Sequence, residues 1–444
     1  MCRRGRGQDG GGVGQSVLTP MVAFDRRGGE LHCGDVPLAT LAERFETPLY
    51  VYNLAAVEAR VRGFQEAFGE LDFVLAYAVK ANGNLAVLNR IAGLGAGADI
   101  VSGGELQRAL RAGIVPERIF FAGVGKRREE MESGIRAGIG AFHVESEGEL
   151  RLLAQVAEEI GVPAPIAVRI NPDILSPAFH EYTQTGHASS KFGIPPEVAR
   201  ELYSWAHRHP FLRVRGIAVH IGSQILDPAP YLESLDSVLA LVEELGADGI
   251  RLEYLDLGGG FGVGYEGDPG LAPRDLAMAI LPRLRSKGLT LVLEPGRTIV
   301  GEAGVLLTRV LQVKRSGGKV FVVTDGGMTE LLRPSHYGGF HRVEPVVLQE
   351  DRPEERVDVV GPVCETGDFL ARDRVLSLPR PGELLAVRTA GAYGFSMASN
   401  YNARCRPAEV VVDGSRVHLA RRRETHEDLV RGESIPRWTA AADG

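Results

Sequence analysis

From about residue 73 to 294 the chain repeats one rhythm. A short apolar, β-branched run gives way to a polar or glycine-rich turn and then to a stretch of helical period. The runs are FVLAYAVK (73–80), GADIV (97–101), RIFFAG (118–123), AFHVES (141–146), PIAVRIN (165–171), RGIAVHIG (215–222), EYLDLGG (253–259) and LTLVLEPG (289–296). Helical stretches between them include 104–112, 147–160, 196–208 and 231–245. Eight such βα units predict a (β/α)8 TIM-like barrel, and continuous apolar strands fit a sheet covered on both faces. An open doubly wound sheet is the alternative. It would more often carry a glycine fingerprint after the first strand, whereas here the first run ends in Lys80 and the glycines follow the seventh.

After about residue 300 the helices fade. The runs 305–314, 319–325, 343–348, 356–361, 383–389 and 408–414 read as strands of a second, mostly antiparallel β domain, and 50–53 as one more strand ahead of the barrel. The expected division is a tail over 1–20, a barrel over 55–300, a β domain from 21–54 plus 301–430, and a second tail over 431–444.

Composition narrows the function. The 444 residues are 44% hydrophobic and 24% charged, with a formal net charge of −7. That excludes disordered and collagenous chains and argues against a general nucleic-acid binder. No apolar run approaches the ~18 residues needed to span a bilayer, so no membrane role is expected. The four cysteines, Cys2, Cys33, Cys364 and Cys405, have no metal-like spacing, so no metal is expected, and their sparseness fits a reducing cytoplasm.

Active sites of such barrels form at the C-terminal ends of the strands. There the sequence sets Lys80, Asp99, Arg169, Asn171, His220, Ser223, Asp256, Gly258 to Gly260, Glu294, Gly296 and Arg297. Burial would lower the pKa of Lys80 and expose a neutral amine able to form a Schiff base. The glycine run, with Ser223 and Arg297, could receive a phosphate. Glu294 could keep a ring nitrogen protonated, and His220 could stack on a cofactor face. Each has a blander reading: an ion-paired lysine, a tight turn, a rim salt bridge from Glu294 to Arg297, a satisfied core histidine. Together they are four fittings for pyridoxal 5'-phosphate. Three later loops add Arg333 and Tyr337, then Cys364 and Glu365, then Tyr393.

These residues lie in motifs that resemble the alanine-racemase-like, fold-type III pyridoxal-phosphate decarboxylases, and within them the branch acting on meso-diaminopimelate. The matching segments are YAVKAN, ADIVSGGEL, VRINP, TGHASSKFG, HIGSQ, LGGGFG, EPGR, DGGMTELLRPSHY, GPVCETGD, GAYG and RRRET, spread from about residue 48 to 430. Thr183 departs from an aliphatic position of the family, and the first twenty residues have no counterpart.

The resemblance implies decarboxylation of meso-diaminopimelate to L-lysine and CO2, the last step of lysine biosynthesis. It implies Lys80 as the cofactor lysine, His220 against the ring, Glu294 at its nitrogen, and Asp99 and Arg169 in the same pocket. Ser223, Gly259, Gly260, Gly296 and Arg297 would surround the phosphate. Arg297, Arg333, Tyr337, Glu365 and Tyr393 would bind substrate, and Cys364 would protonate the α-carbon. The family site forms across a homodimer, with Cys364 and Tyr393 expected from the partner subunit. The SSKFG segment is expected to order over the site. Two arginines suit a distal carboxylate, and Glu365 suits the distal ammonium, where the ornithine enzymes typically carry a shorter Asp. The rival readings are a sister decarboxylase of ornithine, lysine, arginine or a carboxylated polyamine, and a non-catalytic regulatory homologue. Retention of Lys80 and Cys364 speaks against the second, and a racemase would normally carry a tyrosine where Cys364 stands.

Overall fold

The computed structural model describes residues 22–174, 190–265 and 270–436. Eight parallel strands close on themselves in chain order. They are Phe73–Ala78, Gly97–Ile100, Ile119–Phe121, Ala141–Val144, Ala164–Ile170, Leu212–Val219, Tyr254–Asp256 and Thr290–Leu293. The eighth pairs with the first through Leu291, Val292 and Leu293 against Phe73, Val74 and Leu75, which closes the barrel. An open sheet is thereby excluded.

Each observed strand stops before the end of its apolar run, because the last residues turn onto the rim. The first strand ends at Ala78, and Lys80 sits in a 3-10 turn, Val79–Ala81. The helices begin on caps visible in the sequence. Ser102 accepts the Glu105 N–H to start Gly103–Arg111, and Ser146 accepts the Glu149 N–H to start Glu147–Ile160. Inside the barrel, Ala76, Phe120, Ala141, Ala167, Tyr254 and Val292 form their own buried cluster, separate from the main core. This layer floors the site.

The second sheet runs in the order Phe369–Ser377, Glu354–Val360, Lys319–Thr324, Gly304–Ser316, Leu49–Asn53, Ala408–Asp413, Arg416–Arg421. Val343–Pro345 and Leu384–Val387 join it through Gly304–Ser316. Leu49–Asn53 is buried along its length and pairs antiparallel with Gly304–Ser316 and parallel with Ala408–Asp413. The chain passes from it straight into helix Leu54–Ala67, which Asn53 caps. Phe369–Ser377 and Arg416–Arg421 escaped the hydrophobic pattern because they are edge strands carrying Arg372, Asp373, Arg374 and Arg421. No helix among the described residues is long and apolar enough to cross a membrane.

Candidate active site

Lys80 and Asp99 come from the ends of the first two barrel strands. The Lys80 Nζ donates to Asp99 Oδ2 at 2.5 Å. Asp99 is fully buried, while 34% of the Lys80 side chain remains accessible. Burial draws the amine pKa down, but the charges of Asp99, Glu294 and Tyr393 outweigh it and the net shift is upward. The expectation of a neutral amine made by desolvation is therefore corrected. An acid in direct contact stabilises the ammonium more than burial destabilises it.

Glu294 follows the eighth strand and is buried. It does not bridge to Arg297. Its neighbours are two histidines: His143 Nδ1 lies 3.7 Å from Oε1, and His220 Nδ1 lies 3.9 Å from Oε2. Burial, Asp256 and Asp99 all push its pKa well up. Asp256, from the seventh strand, is pushed up to about 7, chiefly by burial. His220 is pushed well down by burial and by Arg169 and Lys80, so its ring is neutral.

The glycine run is shaped by these side chains. Gly258 has φ +72°, and a Cβ there would lie 2.7 Å from His220 Nδ1. A Cβ on Gly259 would lie 2.2 Å from the Glu294 carbonyl oxygen. The Gly258 N–H donates to Asp256 Oδ1 at 2.7 Å and the Gly259 N–H to His220 Nδ1 at 3.1 Å. The Gly259 N–H, expected to meet an anion, is thus already engaged in orienting His220. Gly260 and Gly296 stand beside it on the rim. A Cβ on Gly296 would lie 3.0 Å from that of Ala78, at the entry to the Lys80 turn.

Arg297 heads the short helix Arg297–Val300. It donates from Nη2 to Ser223 Oγ at 3.2 Å and from Nη1 to Tyr265 Oη at 2.8 Å, and its buried Nε has no hydrogen-bond partner. Its guanidinium lies 4.8 Å from the Tyr393 ring centroid. Arg333 is buried and shares Tyr265, with its guanidinium 4.9 Å from that ring, and its Nη1 lies 2.7 Å from His341 Nε2. The Tyr337 hydroxyl acts on the charges of both arginines.

Tyr393 belongs to the same chain's rim, not to the partner's contribution as expected. Its N–H donates to the Ala81 carbonyl at 2.8 Å, next to Lys80, and its φ of +55° turns the ring toward Arg297. Cys364 and Glu365 are different. Both are exposed, and the Cys364 Sγ donates to Asn402 Oδ1 at 3.4 Å. Tyr401 adjoins the Glu365 carboxylate, which raises the tyrosine pKa. The structure does not bring this pair to Lys80 within one chain.

Arg169 is buried and ion-paired with Glu145 Oε1 at 2.9 Å. Asn171 bonds to Ser190 and to the Phe192 carbonyl. Thr183 and residues 185–189 of the TGHASSKFG segment lie outside the described residues, as do residues 1–20 and 437–444. Sequence reasoning passed over Tyr265, His143, Glu105 and His341. Tyr265 had a signal, since it follows the glycine run by five residues. Glu105 lines a cavity of about 490 Å³ that opens beside Lys80, with burial raising its pKa to about 7.

The donor set fits pyridoxal phosphate. It provides an amine, a buried acid facing neutral histidines, and an arginine whose Nε is unpartnered beside a serine hydroxyl. Asp99 Oδ1 is likewise buried without a partner.

Comparison with known proteins agrees. The family model described as "Pyridoxal-dependent decarboxylase, pyridoxal binding domain" matches residues 54–301. The chain is 48% identical to diaminopimelate decarboxylase of Pseudomonas aeruginosa, over 94% of this chain and 99% of that one. It is 47% identical to the Vibrio cholerae enzyme, over 92% and 97%. The crystal structure of diaminopimelate decarboxylase from Helicobacter pylori complexed with L-lysine superposes with a TM-score of 0.86 at 40% identity, covering 89% of this chain and 98% of that chain. The M. jannaschii enzyme in co-complex with L-lysine gives 0.88 at 37% identity, covering 93% and 98%.

Proposed function

The chain belongs to the diaminopimelate decarboxylase family of pyridoxal-dependent decarboxylases, and on that premise we propose that it is a carboxy-lyase converting meso-2,6-diaminopimelate to L-lysine and CO2. The observation that carries the substrate is the pairing of Arg297 and Arg333 around Tyr265, a half-buried and a buried guanidinium group on the rim that holds Lys80. A substrate without a distal carboxylate would leave that second cation uncompensated.

Pyridoxal phosphate, when bound, supplies an aldehyde for amines and a protonated ring that accepts the electrons of the broken bond. Lys80 is the amine that holds it, and Asp99 keeps that amine's proton close at hand. Glu294 is the carboxylate for the ring nitrogen. His220 presents a neutral ring, fixed by the Gly259 N–H. Ser223, Arg297 and the Gly260 side of the glycine run bind the phosphate, and Tyr393 closes that side. Arg333 and Tyr337 hold the distal amino-acid head.

Cys364 and Glu365 act from the partner subunit of a homodimer, Cys364 delivering a proton to the α-carbon and Glu365 receiving the distal ammonium. The support is that both are exposed in one chain and remote in contact from the lysine. The three described cysteines are free thiols, which fits a cytoplasmic enzyme.

A substrate panel read by CO2 release, with and without added pyridoxal phosphate, tests the reading. The expected result is cofactor-dependent turnover of meso-diaminopimelate well above ornithine, lysine or arginine. Preference for ornithine would overturn the substrate assignment.

A further inference from the structure

His341 precedes the strand Val343–Pro345, and its ring reaches back to Arg333 at the head of the short helix Arg333–Tyr337. Both side chains are buried. Arg333 Nη1 lies 2.7 Å from His341 Nε2, and His341 Nδ1 lies 2.9 Å from the Arg388 carbonyl oxygen. The Arg388 N–H in turn donates to the Arg342 carbonyl at 2.8 Å, where Val343–Pro345 pairs with Leu384–Val387. The ring is thus tied to the backbone of the β domain.

The proton of this ring follows from its two partners. A guanidinium only donates, and a carbonyl only accepts. His341 therefore accepts at Nε2 and donates from Nδ1, which is the neutral tautomer with its single proton on Nδ1. Burial, with the cations of Arg333 and Arg297 nearby, pushes its pKa down to about 3.

The charge of Arg333 is left standing. The main influences on it are burial, Tyr265, Arg297, Tyr393 and Tyr337, with no carboxylate among them. Its guanidinium is stacked on Tyr265, and the His341 ring meets the same tyrosine edge-on at 5.5 Å. Two neutral rings therefore orient the fork. A carboxylate in place of His341 would orient it as well but would neutralise it. A neutral acceptor takes one N–H and leaves the positive charge for an anionic ligand.

We propose that His341 is a positioning residue through which Arg333 selects ligands carrying a distal carboxylate. One hydrogen bond fixes the guanidinium without cancelling its charge. This rests on the role given to Arg333 under the proposed function.

The test compares L-lysine with pentane-1,5-diamine. Loss of one carboxylate from meso-diaminopimelate leaves the other amino-acid head intact, so L-lysine carries the distal carboxylate. The diamine is the same molecule with that carboxylate replaced by hydrogen. Titration of holoenzyme with each, followed by cofactor absorbance, gives two Kd values, and wild type is expected to favour L-lysine. In His341→Phe, L-lysine is expected to bind about tenfold more weakly, the scale of one hydrogen bond to a charged group, with the diamine unchanged. His341→Gln, whose side-chain oxygen takes the same N–H, should restore the preference, and His341→Glu, which accepts but neutralises, should not. Equal losses on both ligands in His341→Phe, or a Glu variant as selective as the Gln variant, overturn the proposal.

A second arm needs no ligand. In holoenzyme labelled with 15N-histidine, the His341 resonances are those missing from His341→Gln. They are expected to show a proton on Nδ1, none on Nε2, and no titration from pH 5 to pH 8, where an ordinary imidazole changes charge. A proton on Nε2, or titration in that range, overturns the neutral-acceptor assignment. A wild type that binds both ligands equally while His341 shows the expected pattern refutes the role of Arg333 in the proposed function instead.

Discussion

The Lys80 ammonium lies 2.5 Å from Asp99 Oδ2, and the other oxygen of that carboxylate is buried without a hydrogen-bond partner. The contact sets the resting state of the site. The amine is stored as a cation beside an acid that is ready for a second donor.

Asp99→Asn removes the charge that offsets burial, so the Lys80 amine pKa falls. Its labelling by trinitrobenzenesulfonate at neutral pH, read by peptide mapping, should accelerate by on the order of tenfold for each unit of fall. Lys80→Ala abolishes the label at that peptide and nearly all turnover. An unchanged labelling profile in Asp99→Asn would mean that Asp99 does not hold the proton.

Gly259→Ala places a Cβ where only 2.2 Å separates it from the Glu294 carbonyl oxygen. The seventh-strand loop must shift, and with it the N–H that orients His220. Strain of ~1–3 kcal/mol corresponds to a roughly five- to 150-fold weaker hold on the cofactor. Fluorescence titration of the cofactor-free protein with pyridoxal phosphate measures this, and wild-type affinity would show that the loop accommodates the methyl group.

Much of this was legible in the sequence because the barrel repeats one signal eight times, and each repeat ends on a polar residue. Glu294, His220 and Arg297 could be placed from strand ends alone. What could not be read is how side chains meet across the barrel. The sequence separates His143 from Glu294 by more than a hundred residues and gives no hint that one buried acid faces two histidines. Burial alone predicted the wrong sign for Lys80, since the opposing charge comes from the next strand. Tyr393 was misassigned to the partner because its backbone turn beside Ala81 is a tertiary feature.

Asp256 carries a pH signature in stability. Its folded carboxyl is pushed up to about 7, chiefly by burial. A raised folded pKa gives stability that is full below the unfolded carboxyl range and is lost as pH rises through about 7. The buried histidines His143 and His220 run the other way, losing stability as pH falls below the unfolded imidazole range. Comparing wild type with Asp256→Asn cancels their share. Calorimetry of the cofactor-free proteins should find the Tm of Asp256→Asn gaining on wild type from pH 5 to pH 8, and a pH-independent difference would count against the shift.

Arg333→Lys tests the distal head. Lysine keeps the charge but loses the fork and the stack on Tyr265. KM for meso-diaminopimelate is expected to rise about ten- to hundredfold, the worth of a charge-assisted hydrogen bond of ~1.5–3 kcal/mol, with a smaller change in kcat. Residual ornithine turnover should be spared. Equal losses on both substrates would place Arg333 in general folding rather than in recognition.

The shared site makes the sharpest prediction. Lys80 and Tyr393 meet within one chain, whereas Cys364 is exposed and bonded to Asn402. A homodimer that completes each site with the partner's Cys364 loop should allow complementation between inactive variants. Lys80→Ala and Cys364→Ala are each nearly inactive alone. Mixed in equal amounts and allowed to exchange, half of the dimers are hybrids, and each hybrid has one site with both the lysine and the cysteine intact. Activity should therefore return to about a quarter of wild type. Sites built within single chains would gain nothing on mixing, since neither variant then holds both groups. Sedimentation of the mixture confirms that exchange has occurred, so that a flat result after exchange rules out the shared site.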